Sequence, residues 1–258
     1  MTRFFEAEKK LKVLQLSKSS KPNESEENPS AKLLKPNSDP VNIIIVRPFS
    51  RQISTRLANT RVTPNQVTLA ALLSAVTASL LVVFSHSLAG AVAAALLIQL
   101  YIILDCADGE LARLKGMKSD FGKWFDGVTD NVSTGLLIFA FSLRAASALG
   151  QIGYVVGFLA EVGFFTAKLS YQYGELVYAK AKAKAEAARR ATAANKKPMA
   201  PQRITLFSIA RSFSHGVQVL LFALGALLSL HFAVLVIMAV WANVVWVGRV
   251  FKYHKTRD

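Results

Sequence analysis

The sequence contains a single cysteine, Cys106, so no intrachain disulfide can form. Acidic residues are also scarce, because 16 Asp and Glu stand against 31 Lys and Arg, and the formal net charge is +15 at pH 7. The first forty residues lack an apolar run of the signal-peptide type and are rich in Lys, Ser, Pro and Glu. We therefore expect residues 1–40 to form a flexible polar tail on the cytoplasmic side.

Apolar residues, in contrast, make up 52% of the chain. A membrane-spanning helix needs about 20 mostly apolar residues, and several stretches between residues 63 and 253 qualify. The predicted spans lie at about 67–84, 88 through 108, 120–149, 152–173, 206–228 and 232–250. The sequence therefore predicts an all-α integral membrane protein with six transmembrane helices.

Residues 41–62, before the first span, predict a short amphipathic helix. Its apolar side chains recur every four residues, with arginines around them: Phe49, Ile53 and Leu57, and Arg47, Arg51 and Arg56. A basic helix with one apolar stripe is suited to the headgroup layer of a membrane. We expect it to lie in the plane of the interface.

The distribution of the positive charges predicts the orientation in the membrane. Lys and Arg concentrate before the first span, in 111–125, in the basic loop 174–203 and after the last span. The opposite turns, near His86, Gly150 and Ser229, carry almost none. Because cytoplasmic loops are enriched in Lys and Arg, both termini are predicted to be cytoplasmic. The charges are spread over loops between spans, so the partner that they indicate is the bilayer surface and not nucleic acid.

Four aspartates lie within this apolar sequence: Asp105, Asp108, Asp126 and Asp130. A carboxylate near hydrocarbon is costly unless it has a partner, so such residues are candidates for function. Spacings of three and four residues place each pair on one helix face. A tight connection between the two helices predicts antiparallel neighbours on which the carboxylates converge. Oxygen ligands of this kind suit Mg²⁺ or Mn²⁺, and two such ions could bridge a pyrophosphate.

Residues around the aspartates fit a phosphate-bearing ligand. Gly109 and Gly122 allow close approach to the backbone, and the Arg113 guanidinium has a shape that matches phosphate. The first span begins at Pro64-Asn65 on the same side, where free N–H groups favour an anion. Together these features predict a diphosphate-linked headgroup at the interface, with its lipid tails in the bilayer.

The run Asp105-x₂-Asp108-Gly109-x₂-Ala112-Arg113-x₈-Gly122-x₃-Asp126-x₃-Asp130 resembles the signature of the CDP-alcohol phosphotransferase (CDP-alcohol phosphatidyltransferase) family. The segment Thr63-Pro64-Asn65-Gln-Val-Thr68 is similar to the one that opens the first span in that family. The resemblance covers about residues 45–250. It implies a CDP-linked lipid donor and a small alcohol acceptor, whose hydroxyl attacks the β-phosphate while CMP leaves.

By this resemblance, Asp105, Asp108 and Asp126 are chiefly metal ligands, and Asp130 is the base that takes the acceptor's proton and also contacts metal. A general base must reach the hydroxyl, and a carboxylate bound to two cations is poorly basic. The implied CDP-binding residues are Asn65, Thr68, Asp108, Gly109, Ala112, Arg113 and Gly122.

The sequence specifies the acceptor less closely than the CDP-linked donor. Family members use inositol phosphate, glycerol phosphate, serine or another lipid, and the run from Asp105 to Arg113 is most similar to members that use inositol phosphate. A phosphorylated acceptor needs a second basic pocket, for which Lys168, Arg203 and Arg211 are candidates. Lys168 and Arg211 could instead extend toward lipid headgroups.

Three further interpretations follow from the sequence. Gly153 and Gly157 form a G-x-x-x-G motif, which permits close helix contact and predicts a homodimer. A membrane prenyltransferase also uses aspartate-rich motifs, although with other spacings. A divalent-cation transporter would have broken helices and sites near the bilayer midplane.

Overall fold

The computed structural model describes residues 42–192 and 215–254, which belong to the unit Asn37–Asp258. Every element in this part of the chain is helical. A π-helical turn, Asn42–Val46, leads directly into the first α-helix. The α-helices are α1 Arg47–Ala58, α2 Pro64–Phe84, α3 Leu88–Leu114, α4 Asp120–Leu149, α5 Gln151–Thr192, α6 His215–Leu227 and α7 His231–His254. The tail predicted at 1–40 lies outside the described residues.

Five of these helices are long and apolar enough to cross a membrane, within the described residues. They are α2, α3, α4, the segment Gln151–Gly174 of α5, and the segment His231–Phe251 of α7. The predicted all-α fold is thus confirmed, and five of the six predicted spans coincide with helices of suitable length and composition. For the span predicted at 206–228, the described portion is α6, an apolar helix of 13 residues. The remainder of that segment lies outside the described part, so the count of six stays a prediction.

Local sequence signals explain where the helices begin. Thr63 caps α2, because its hydroxyl accepts from the backbone N–H of Gln66 at 3.4 Å. The Gln66 side chain accepts in return from the Thr63 N–H at 2.9 Å, which completes a capping box. Ser119 caps α4 by accepting from the Gly122 N–H at 2.9 Å. These caps fix the helix ends that border the aspartates.

Helix α5 extends well beyond its predicted span. It contains 42 residues, which corresponds to about 63 Å at a rise of 1.5 Å per residue. Only the portion up to Gly174 is apolar enough to span a membrane. The basic segment predicted as a loop at 174–203 therefore begins as a continuation of α5 to Thr192, and its remaining residues lie outside the described ranges.

Helix α2 packs between two helices that carry the predicted site. It contacts both α3 and α4, while α5 packs against α4 and α7, and α6 against α3. Its buried alanines, Ala71, Ala75 and Ala78, allow close approach of the neighbouring helices. The largest buried side chains of the core come from the other helices: Tyr101, Phe141, Phe164 and Phe222. This arrangement brings the ends of α2, α3 and α4 that carry the predicted site to one end of the bundle.

The G-x-x-x-G motif packs inside the chain. A Cβ atom on Gly153 would lie 2.4 Å from the backbone nitrogen of Ala146, and one on Gly157 would lie 2.0 Å from Oγ of Ser142. Both glycines thus serve the contact between α5 and α4, where a larger side chain does not fit. The motif is therefore used for packing within one chain, and the homodimer stays a prediction.

Helix α1 packs on α3 with a face that the apolar stripe does not predict. Arg47, Ser50 and Ser54 are buried, whereas Phe49 is 56% exposed. Two residues of the stripe, Ile53 and Leu57, are half-buried and pack against the cluster of Val67, Ala107 and Leu111. The structure shows that α1 packs on α3. Its location in the headgroup plane stays a prediction.

Candidate active site

The four aspartates come from two helices that approach one another at one end of the bundle. Asp105 and Asp108 lie in the C-terminal part of α3, and Asp126 and Asp130 lie in the first three turns of α4. The two helices meet through their side chains, because Tyr101 of α3 donates to Asp130 of α4. Helix α2 packs against both of them, whereas α3 and α4 have few close backbone contacts with each other. The aspartates of α3 and α4 thus face one another at this end of the bundle.

The carboxylates themselves converge. Asp105 interacts electrostatically with the other three aspartates, and it is close enough to Asp130 to share a hydrogen bond. Asp108 likewise interacts with Asp126 and Asp130. Like charges at these separations oppose one another unless a proton or a cation lies between them. The structure thus brings Asp105 and Asp130 within hydrogen-bonding range, with Asp108 and Asp126 close enough to act on their charges.

The donor set fits a divalent cation that prefers oxygen. Ligand atoms of Asp105, Asp130 and His215 lie within 4.8 Å of one another. The site is open on one side, since the side chain of Asp130 is 23% exposed, whereas Asp108 is buried. Several carboxylates with partial access to solvent are the environment in which proteins hold Mg²⁺ or Mn²⁺. This chemistry agrees with the cofactor that the sequence predicts, without identifying the ion.

Asp130 is held by a tyrosine and a histidine. The Tyr101 hydroxyl donates to Oδ1 of Asp130 at 3.1 Å and lies 3.0 Å from Nε2 of His215. The His215 Nε2 atom is itself 3.9 Å from the same carboxylate oxygen. Tyr101 is almost completely buried, so its hydroxyl needs hydrogen-bond partners within the protein. The predicted base is therefore part of a polar group formed by α3, α4 and α6.

The residues predicted to bind CDP surround the same space. Thr68 of α2 donates a 2.5 Å hydrogen bond to Oδ2 of Asp108. A Cβ atom on Gly122 would lie 3.3 Å from Oδ1 of Asn65, which places the start of α2 beside the start of α4. A Cβ atom on Gly109 would lie 3.5 Å from Nη1 of Arg113.

These contacts bring six of the seven predicted CDP-site residues into adjoining positions on α2, α3 and α4. The seventh, Ala112, is half-buried on α3, one residue before Arg113. Gly109 and Gly122 have no side chain. No Cβ atom therefore lies between the backbone of Gly109 and the Arg113 guanidinium, or between the backbone of Gly122 and the Asn65 amide. A nucleotide diphosphate could therefore contact backbone and polar groups together.

Of the predicted acceptor residues, Lys168 is in the described part. It is half-buried on α5, with Nζ 5.6 Å from the centre of the Phe164 ring. Its charge also acts on the Asp130 carboxylate. Arg203 and Arg211 lie outside the described residues. Lys168 is therefore near enough to Asp130 to act on its charge, and its role in binding the acceptor stays a prediction.

Three residues near the site have roles that the sequence reasoning does not assign. Tyr101 precedes Asp105 by one helical turn, a spacing that places both on one face and could have indicated it. Glu110, inside the signature run, is fully buried and accepts from Arg47, Ser50 and Ser54. His215 has no local sequence signal that links it to the site, because its neighbour Tyr101 is 114 residues away.

The sequence is similar to a known family and to several known proteins. A model of the family "CDP-alcohol phosphatidyltransferase" matches residues 61–253. A bifunctional IPC transferase and DIPP synthase of Thermococcus kodakarensis is 35% identical over 123 residues, 46% of this chain and 27% of that protein. An archaetidylinositol phosphate synthase of Pyrococcus horikoshii is 30% identical over 132 residues, 51% of this chain and 65% of that protein.

A bifunctional IPC transferase and DIPP synthase of Aquifex aeolicus is 37% identical over 89 residues, 33% of this chain and 20% of that protein. The matches thus span between a fifth and two thirds of each relative's length. The family model, in contrast, covers the helices from the start of α2 to the end of α7, with all four aspartates and the residues around them. The chain belongs to the CDP-alcohol phosphatidyltransferase family.

Proposed function

We propose that this protein transfers a phosphatidyl-type group from a CDP-linked lipid to the hydroxyl of a small alcohol, releases CMP, and uses inositol phosphate as the acceptor. The observation that carries the proposal is the meeting of four carboxylates from α3 and α4 beside Thr68, Asn65 and Gly122. The name of the P. horikoshii relative, an archaetidylinositol phosphate synthase, supports the choice of acceptor.

In this proposal, Asp105, Asp108 and Asp126 hold Mg²⁺ or Mn²⁺, and Asp130 completes the set. When bound, two such ions neutralise the diphosphate and stabilise the phosphate that leaves with CMP. Thr68 holds Oδ2 of Asp108 and so limits the rotation of that carboxylate. Second contacts of this kind orient the groups that bind metal.

Asp130 serves as the general base that removes the proton of the acceptor hydroxyl. Support comes from the hydrogen bond that it receives from Tyr101 and from the Lys168 charge that acts on it. Arg113, with Gly109 and Gly122, contacts the diphosphate and the nucleotide. Lys168, together with Arg203 and Arg211, binds the phosphate of the acceptor.

The proposal includes a position in the membrane. Six spans place both termini and the active site at the cytoplasmic surface, with α1 at the interface and the lipid tails of the donor in the bilayer. Support comes from the five apolar helices and from the basic residues that border the aspartate end of the bundle. A homodimer is part of the proposal as well.

The test is an assay with a panel of acceptors. Purified protein in lipid nanodiscs receives CDP-diacylglycerol, Mg²⁺ or Mn²⁺, and inositol phosphate, glycerol 3-phosphate, serine or inositol. CMP release is measured by chromatography and the lipid product by mass spectrometry. We expect release of CMP with inositol phosphate. Release with another acceptor would correct the acceptor alone, and no release with any acceptor would contradict the proposed chemistry.

Two variants assign the roles. Asp130→Asn should abolish turnover while the protein still binds the CDP-linked donor, because the amide cannot accept the proton. Asp120→Asn is the matched control, since Asp120 is an exposed carboxylate on the same helix outside the aspartate group. Near-normal turnover in Asp130→Asn would show that another group is the base.

A further inference from the structure

One buried hydroxyl joins three helices at the predicted base. Tyr101 of α3 contacts Oδ1 of Asp130 on α4 at 3.1 Å and Nε2 of His215 on α6 at 3.0 Å. The rings of Tyr101 and His215 meet edge to face, with centroids 5.9 Å apart and an interplanar angle of 86°. A buried tyrosine hydroxyl costs free energy unless it is hydrogen-bonded. The Tyr101 hydroxyl has hydrogen-bond partners in both Asp130 and His215.

The chemistry of the three groups sets the direction of the hydrogen bonds. A tyrosine hydroxyl has one proton, and an ionised carboxylate can only accept. Tyr101 must therefore donate to Asp130, and its oxygen must accept from an N–H at Nε2 of His215. The opposite arrangement would place lone pairs of the tyrosine and the carboxylate against each other. The order is thus His215 to Tyr101 to Asp130.

We propose that Tyr101 and His215 are positioning residues for catalysis, which hold Asp130 by one oxygen and keep its other oxygen toward the acceptor hydroxyl. This inference rests on the proposed function, in which Asp130 is the base. A base among three carboxylates that bind metal has a specific difficulty, since rotation toward a cation would convert it into a ligand and lower its basicity. The hydrogen bond from Tyr101 opposes that rotation, and His215 fixes the orientation of the tyrosine hydroxyl.

The alternative is that His215 is a metal ligand, because its ring lies within 4.8 Å of ligand atoms of Asp105 and Asp130. The two roles differ in what the imidazole must do. A metal bound at Nε2, the nitrogen that faces Asp130, needs a free lone pair there, whereas the positioning role needs a proton on Nε2. A glutamine can replace the N–H donor, and a leucine can replace neither function.

The kinetic test uses four variants. Tyr101→Phe removes the hydroxyl and keeps the ring, and it should lower kcat by about 10–100-fold, the usual effect of losing such a supporting contact. The KM for the CDP-linked donor should change by less than about twofold, because the donor site is intact. His215→Leu should reduce kcat to a similar extent. His215→Gln should keep most of the wild-type kcat, because its side-chain amide can donate to Tyr101.

The double variant Tyr101→Phe/His215→Leu should be no slower than Tyr101→Phe, because His215 acts through the tyrosine. Wild-type kcat in Tyr101→Phe would overturn the proposal. So would losses that multiply in the double variant, or a His215→Gln protein as slow as His215→Leu. Thermal unfolding of each variant shows whether the bundle itself is retained.

Binding of Mn²⁺, followed by electron paramagnetic resonance, provides a readout besides activity. The positioning role predicts unchanged or tighter Mn²⁺ binding in Tyr101→Phe and unchanged Mn²⁺ binding in His215→Leu. Binding weakened by about tenfold or more in His215→Leu would make the histidine a ligand and overturn the proposal. If the wild-type protein released no CMP, the proposed function would fail, and these Mn²⁺ affinities would still decide between the two roles of His215.

Discussion

Arg47 and Glu110 form a buried ion pair, with Nη1 of the arginine 2.5 Å from Oε1 of the glutamate, and this pair joins α1 to α3. Ser50 donates to the same carboxylate at 3.1 Å and Ser54 at 3.0 Å. Glu110 follows Gly109 of the predicted CDP site directly. The amphipathic helix is thus bound to the segment that carries the site by polar contacts that exclude solvent.

Loss of the arginine should destabilise the protein strongly. Arg47→Met removes the ion-pair partner of the buried Glu110 carboxylate, which keeps the hydrogen bonds from Ser50 and Ser54, and we expect a loss of about 3–5 kcal/mol in unfolding free energy. Thermal and denaturant unfolding in detergent measure it. Arg56→Met is the matched control, because Arg56 is exposed on the same helix and should change stability by less than about 0.5 kcal/mol.

A second substitution tests the cause. Glu110→Gln removes the charge but still accepts from the serines, so Arg47→Met/Glu110→Gln should recover most of the lost stability. A double variant as unstable as Arg47→Met would mean that the packing of the arginine, and not the stranded charge, accounts for the loss.

The hydrogen bond from Thr68 to Asp108 should matter for metal binding. Thr68→Val has nearly the same shape but cannot donate, and we expect about a 10–100-fold higher concentration of Mg²⁺ for half-maximal CMP release. Thr68→Ser should remain close to wild type. The control is Thr77→Val, since Thr77 is exposed on the same helix and bonds only the Leu73 carbonyl. An unchanged requirement for Mg²⁺ in Thr68→Val would assign this contact to folding alone.

The packing of α5 on α4 gives a prediction about stability. Gly153→Ala would place a methyl group 2.4 Å from the backbone of Ala146, which cannot move aside as a side chain would. Overpacking of this kind costs about 1–3 kcal/mol. The control is Gly127→Ala on α4, where nothing lies within 4 Å of the added carbon and the better helix propensity of alanine should preserve stability. Equal melting temperatures for the two variants would contradict the contact.

The acceptor pocket can be tested through Lys168. Lys168→Ala should raise the KM for inositol phosphate by about tenfold or more, the effect of losing a charged hydrogen bond, and leave the KM for the CDP-linked donor unchanged. Lys118→Ala is an exposed control in the connection between α3 and α4. If the KM for the acceptor does not change in Lys168→Ala, the side chain serves only to reach the headgroup layer.

Much of the fold could be predicted because single segments determine it. Span length and apolar composition identified α2, α3, α4 and the membrane portions of α5 and α7. The helix start at Thr63-Pro64 followed from capping chemistry within three residues. The four aspartates were evident because a carboxylate in apolar sequence has so few structural explanations.

The remainder depends on partners distant in sequence. The buried face of α1 is set by Glu110, which is 63 residues from Arg47, and so the local apolar stripe gave an incomplete description of that helix. The relation of His215 to Asp130 likewise depends on how α6 packs on α3. That α2 packs against both α3 and α4 also does not follow from the short connection between those two helices.

The most direct test of the central claim is the location of Mn²⁺ by anomalous X-ray scattering from crystals grown with Mn²⁺ and CDP. The account predicts anomalous peaks between α3 and α4, within coordination distance of Asp105, Asp108, Asp126 and Asp130, with the CDP phosphates beside them. Peaks that are absent from this space, or that are held by other residues while CDP binds elsewhere, would contradict it.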